Sequence, residues 1–337
     1  MQFIKSVFWS DEQRRVRALW RLIGQLILLI LISLPVQAGF GFVAMMTISN
    51  RQEGVAFNPM ALMGSPAAQT LLVWGVMVAM LASVWLAGRL LDRRLFADFG
   101  FHLSRDWWLD FGFGLLLGAF LMLLIFLAEL AAGWLTVEAT LVTFGSNLPF
   151  AQAILSPLLT FVAVGVYEEL FSRGYQLRNM AEGLNWKRIG PRAATVVATL
   201  LSSALFGLMH LGNPNASLVS SFNIFVAGAV ILAMGYLLTG ELAIPIGVHI
   251  TWNFFQGNVF GFPVSGADFR SAVFISIRQG GPDLWTGGAF GPEAGLLGLA
   301  AMLLGGGLII LWVRWRYGQA RLHVALAEYP ARLLSSL

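Results

Sequence analysis

The sequence predicts an all-α polytopic membrane protein with about eight transmembrane helices. Three observations carry this. First, 58% of the 337 residues are hydrophobic and only 11% are charged, whereas ordinary soluble domains run at roughly 45–50% and about 25%. Mean hydropathy is accordingly high, at +0.75. Second, apolar stretches of the ~20 residues needed to cross a hydrocarbon core recur along the chain. Third, basic residues gather on alternate connections between those stretches. Together these exclude a water-soluble globular protein, a disordered chain and a nucleic-acid-binding domain. The absence of Cys excludes a disulfide framework, a thiolate metal site and a cysteine nucleophile.

The expected spans are roughly 20–46, 70–90, 108–135, 150–172, 193–210, 217–239, 242–260 and 292–313. The first contains a short apolar run, Leu22 to Leu34, followed by Pro35-Val36-Gln37-Ala38, which has the look of a cleavage site. The preceding leader is long and includes Asp11 and Glu12, and apolar sequence continues to Ile48, so a retained helix is expected. Asp92 to Asp110 mixes charge with aromatics and reads as an amphipathic stretch on the inner surface ahead of span three. Spans six and seven are separated only by Thr239, Gly240 and Glu241, which predicts a tight helical hairpin. The segment 261–291 reads as an external Gly-rich loop, and 1–337 as a single membrane domain.

With the N-terminus inside, 18 of the 21 Lys and Arg fall on inner segments and three (Arg51, Arg270 and Arg278) on outer loops. The inner group runs from Lys5, Arg15 and Arg21 through Arg94 and Arg173 to Arg332. Under the positive-inside rule both termini are expected in the cytoplasm. A bacterial inner membrane is the expected location.

Ionisable groups inside a span are expensive, so each is a candidate for function. Span four ends in Tyr167-Glu168-Glu169-Leu-Phe-Ser-Arg173, span five in Phe206-Gly-Leu-Met-His210, and span seven holds His249-Ile-Thr-Trp-Asn253. Two of the chain's four His therefore lie in apolar helices. Glu169 and Arg173 are four apart and can pair, while Glu168 points about 100° away toward another partner. His249 and Asn253 are likewise four apart. Two carboxylates, two imidazoles and a carboxamide form the inventory of a hydrolytic site, with groups to take a proton from water and donors to hold an oxyanion. Glu129 has no motif around it and reads as a satisfied or interfacial carboxylate, as do His102 and His323 near the inner surface. The pairs Trp107-Trp108 and Trp312/Trp315 read as interface belts, and Gly305-Gly306-Gly307 as a close helix contact.

The ordered motifs Glu-Glu-x-x-x-Arg (168–173), Phe-x-x-x-His (206–210) and His-x-x-x-Asn (249–253) resemble the CPBP intramembrane proteases, which include the type II CAAX prenyl endopeptidases. The resemblance covers about 150–260, and Thr286 to Gly295 is similar to a loop of some bacterial members. It implies an eight-helix fold with a cavity open to the cytoplasm and hydrolysis of a peptide bond near the membrane. It further implies Glu168 paired with His210 to activate water, His249 and Asn253 as oxyanion donors, and Glu169 with Arg173 in support. The expected partners are membrane lipids and a peptide or protein substrate, with lipidated proteins included and nucleic acid excluded. Glu168, Glu169, His210 and His249 could supply ligands to Zn²⁺. No HExxH pair occurs, and a Glu/His-activated water needs no metal, so no cofactor is the favoured reading. The alternatives are a non-catalytic scaffold or immunity-type binding protein of the same fold, and, ranked last, a proton-relaying transporter.

Overall fold

Apolar length sets the long helices, and small polar or glycine residues set their ends. The computed structural model describes residues 7–49, 65–144 and 148–330. Lys5, Arg51 and Arg332, used in the charge count, lie outside the described residues. The principal helices are α1 (Ala18–Ser49), α2 (Pro66–Ala87), α3 (Arg105–Ala131), α4 (Leu155–Glu169), α5 (Arg178–Leu184), α6 (Gly190–Met209), α7 (Leu218–Ala227), α8 (Ala233–Thr239), α9 (Ala243–Phe254) and α10 (Leu296–Tyr317). Ser65 accepts from the Ala68 N–H with Pro66 at the first helical position of α2, and Ser104 accepts from the Trp107 N–H at the start of α3. Such caps satisfy N–H groups that have no partner inside the helix. Gly240, at φ 76°, ends α8 and lets the chain turn straight into α9, as the expected hairpin requires.

Among the described residues seven helices are long and apolar enough to cross a membrane. The expected span that is not among them is the seventh, 242–260. Helix α9 continues as a π turn, Phe255–Val259, and stops there. At 1.5 Å per residue it reaches about 25 Å, against about 30 Å of hydrocarbon. It is instead the most enclosed helix: every residue from Ala243 to Ile250 is buried.

A second correction concerns the fourth span, expected to end near residue 172. It runs as one helical rod, Phe150–Leu184, with a π segment, Leu170–Leu177, between α4 and α5. Glu168 and Glu169 therefore lie mid-rod. The helix continues through polar sequence because its polar side chains find buried partners, described below.

The purely helical expectation also needs amending. Strand β3 (Leu135–Thr143) pairs antiparallel with β4 (Ala272–Gln279), which lies inside the Gly-rich loop. The third span thus ends at Ala131, and the apolar residues after it belong to the ribbon. A smaller pair, β1 (Trp9–Ser10) and β2 (Arg15–Val16), precedes α1. The Asp92–Asp110 stretch, expected to be amphipathic, does not form a single regular element. It holds a 3₁₀ turn, Phe96–Phe99, and then enters α3, with Asp92, Arg94, Asp98, Phe99 and Trp107 all buried. Of the aromatic pairs, Trp108 and Trp315 are exposed as belts require, whereas Trp107 packs inward and Trp312 stacks on Phe113 at 4.3 Å.

Glycines fix α9 against its neighbours. A Cβ at Gly114 would lie 2.5 Å from the Ile244 carbonyl oxygen, one at Gly118 2.5 Å from that of Val248, and one at Gly247 2.5 Å from that of Phe111. Gly114-x-x-x-Gly118 on α3 therefore meets α9 backbone to backbone, the small-residue contact that membrane helices use. Gly165 on α4 makes a similar approach, its absent Cβ 2.7 Å from Ile250. Gly305 and Gly306 are buried and closely packed, as expected. Replacing Gly118 by Val forces α3 and α9 apart. The expected cost is about 1–3 kcal/mol, read as a lowered thermal midpoint of the purified protein in detergent.

Candidate active site

Three elements converge on one point: the α4–π junction, the end of α6 and the middle of α9. Helix α4 ends at Glu169, and the backbone then widens into the π segment that carries Arg173. Such segments inside α-helices are frequent at functional sites. Arg173 donates to Glu169 Oε1 at 3.0 Å, as the four-residue spacing predicts. Both side chains are fully buried, and the Arg173 guanidinium lies over the Phe206 ring, 4.4 Å from its centre.

His249 joins the two carboxylates. Its Nδ1 lies 2.7 Å from Glu169 Oε1, and its Nε2 lies 3.8 Å from Glu168 Oε2. Glu169 Oε1 thus serves Arg173 and His249 together. Glu168 is less enclosed, its side chain 23% exposed, and the Tyr167 hydroxyl donates to it at 3.3 Å. The two neighbouring carboxylates were expected to address different partners. They instead reach opposite nitrogens of one imidazole ring.

His210 ends α6 and opens a 3₁₀ turn, His210–Gly212. Its Nδ1 lies 2.7 Å from the Phe206 carbonyl oxygen, so Nδ1 carries the proton and Nε2 is left as an acceptor. His210, His249 and Asn253 line one cavity of about 50 Å³. That is room for water, which needs only about 10–15 Å³. No direct contact joins Glu168 to His210 among the described residues, and Glu168 is not in the cavity wall. The nitrogen partner of Glu168 is His249, whose Nε2 lies 3.8 Å from Oε2 and whose ring lines the cavity.

Two further polar residues line the cavity, Ser265 from the Gly-rich loop and Glu293 from the 3₁₀ turn Pro292–Ala294 just after it. The sequence reading quoted Glu293 only within a loop resemblance and gave it no place at the site. Its place as the acidic residue at the start of the eighth expected span, between Gly291 and Gly295, was the available signal.

The alternative Zn²⁺ ligand set is not gathered here. Among the described residues no group of three or more His, Asp or Glu side chains is arranged to hold a metal ion, and Glu169 Oε1 is already engaged by Arg173 and His249.

A family model described as Type II CAAX prenyl endopeptidase Rce1-like matches residues 150–255. This segment belongs to that family. The Rce1-like segment holds all six candidate residues, Glu168 to Asn253, together with Phe206. It supports an enzyme of the protease kind, set among membrane-spanning helices. No curated protein and no solved structure matches the chain.

Proposed function

We propose that the chain is an intramembrane endopeptidase that hydrolyses a peptide bond near the membrane surface. The observation that carries this is His249 held between Glu169 and Glu168, on the wall of a water-sized cavity shared with His210 and Asn253. Glu168 takes one proton of a water while His210 Nε2 accepts a hydrogen bond from its other O–H, and the resulting hydroxide attacks the scissile carbonyl carbon. The oxyanion is held by His249 Nε2–H and the Asn253 carboxamide. The C–N bond then breaks as the proton passes to the leaving amine. Glu169 fixes the His249 ring through Nδ1, and Arg173 offsets the Glu169 charge. Glu168, Glu169 and Arg173 alone carry one excess negative charge, which a doubly protonated His249 balances. That form also supplies the Nε2 donor.

The charge bias along the chain supports cytoplasmic termini. The family supports a protein or peptide substrate, with lipidated proteins as the first class to try.

The test maps new protein N-termini in membranes holding the wild type or Glu168→Gln, each with and without a strong chelator. The expected result is a set of neo-termini reduced at least ~100-fold in the variant, the scale of a lost general base. Identical maps from two folded proteins would favour the non-catalytic scaffold. A wild-type map abolished by chelator would favour the metal-dependent alternative.

A further inference from the structure

The loop that follows the Rce1-like segment returns to the cavity and ends on a buried carboxylate. Glu293 is 2% exposed. Its Oε1 accepts from the Ser265 backbone N–H at 2.5 Å and from the Ser265 hydroxyl at 3.2 Å. Its Oε2 accepts from Gln256 Nε2. All of these partners are donors, which suits a carboxylate that only accepts.

The partners lead to opposite walls of the cavity. Gln256 is fully buried in the π turn that extends α9, three residues beyond Asn253 and seven beyond His249. It also donates to the Pro263 carbonyl at 2.6 Å. On the other side, the Ser265 carbonyl accepts from Asn213 Nδ2 at 2.9 Å, and the Asn213 N–H donates to the His210 carbonyl at 3.1 Å. Asn215 Nδ2 reaches the Gly266 carbonyl at 3.3 Å. A hydrogen-bonded chain thus runs from the His210 turn through Asn213, Ser265, Glu293 and Gln256 to the helix carrying His249 and Asn253.

The strap has no slack. A Cβ at Gly266 would lie 1.7 Å from the Pro214 carbonyl oxygen, and one at Gly291 2.7 Å from both Gln256 Nε2 and Glu293 Oε2. Ser265 itself takes a left-handed φ of 48°, a conformation that non-glycine residues keep only when their surroundings enforce it.

We infer that Glu293 is a positioning residue of the proposed protease site: it clamps the 263–266 strap between the His210 turn and the His249/Asn253 helix, and so sets the gap across which the scissile bond is held. The inference rests on the endopeptidase reading and adds to it a residue outside the matched segment 150–255. Burial pushes the Glu293 carboxyl up to about 7 despite its donors. The fold thus keeps an ionisable group where an apolar one would be easier to bury, which is commoner at working sites than in plain cores.

The test uses the full chain in detergent, as wild type, Glu293→Gln and Glu168→Gln. An amide at 293 nearly preserves shape but turns an N–H₂ toward one of the donors. Hydrogen exchange is followed by mass spectrometry over 261–270 and 206–216, and cleavage with a quenched fluorescent peptide copied from the first mapped neo-terminus. For Glu293→Gln, faster exchange in both segments is expected, with kcat down about 10–100-fold, the scale of an ångström-level misplacement. KM is expected to stay within about threefold, since the change acts on the alignment of the reacting groups rather than on binding of the peptide. A purely structural residue would change the amount of folded enzyme without this split. Unchanged exchange over 261–266 overturns the clamp, and altered exchange with unchanged kcat overturns its positioning role. If wild type and Glu168→Gln give the same neo-termini, the protease reading fails by itself, and the exchange data still decide whether Glu293 ties the two walls together.

Discussion

Glu169→Ala is expected to lose both cleavage and about 3–5 kcal/mol of stability, the cost of leaving one member of a buried ion pair without its partner. Arg173 is fully buried and its one ion-pair partner at hydrogen-bonding distance among the described residues is Glu169, at 3.0 Å. The Phe206 ring beneath the guanidinium supplies an attractive face but no acceptor of comparable strength. The same Glu169 oxygen holds His249 Nδ1 at 2.7 Å, so the alanine variant frees the imidazole to turn. Glu169→Gln separates the two roles. A carboxamide oxygen at the Oε1 position keeps both hydrogen bonds, and Oε2 has no hydrogen-bond partner to lose among the described residues. What it removes is charge. The glutamine variant is therefore expected to fold closer to wild type while cleaving about 10–100-fold more slowly, from loss of the charge that orients and polarises His249. Thermal midpoints measured beside neo-terminus yields check both. Equal loss of stability and equal loss of cleavage in the two variants would mean that Glu169 acts only as the counterion of Arg173.

The membrane-helix class and six candidate residues were legible because apolar length and intramembrane charge are strong local signals. Much of what the structure adds depends on partners far away in sequence. Leu135–Thr143 reads as the tail of an apolar span, and only its pairing with Ala272–Gln279 makes it a strand. The hundred-degree offset between Glu168 and Glu169 is sound helical geometry. It could not anticipate that one imidazole from α9 presents a nitrogen to each. Glu293 stood at the edge of the eighth expected span, and its meaning comes from Gln256 and Ser265. The basic residues carry the sharpest lesson. Arg15, Arg21 and Arg94 were counted as flanks that orient the chain, yet all three are buried. Composition sees their charge, whereas only the fold shows which carboxylate they share.

That carboxylate is Glu182, and Glu182→Ala is expected to destabilise the protein by about 3–5 kcal/mol. Arg15 donates to it at 2.6 Å and Arg21 at 3.0 Å, with Arg94 on its other oxygen. Asp92 supports the cluster, accepting from Arg21 and from the Tyr175 hydroxyl, each at 2.9 Å. Three guanidiniums on one carboxylate leave little in reserve. Several of their N–H groups have no hydrogen-bond partner among the described residues, and burial pulls Arg15 down to about 10 although Glu182 opposes the shift. In the alanine variant the three cations would face one another with Asp92 as the nearest remaining anion. Removing one of them should then help: Arg94→Leu is expected to destabilise the wild type but to recover part of the loss in the Glu182→Ala background. Thermal denaturation of the four proteins in one detergent gives the coupling, and strict additivity would show that the charges do not interact. The consequence reaches the candidate site, because Glu182 lies on the same helical rod as Glu168 and Glu169, whereas the three arginines come from outside the matched segment. Residues before 150 thus hold the rod at one end while α9 packs against it near the carboxylates. A chain cut to the family core is expected to keep every candidate residue yet lose the counter-charges that seat the rod carrying two of them.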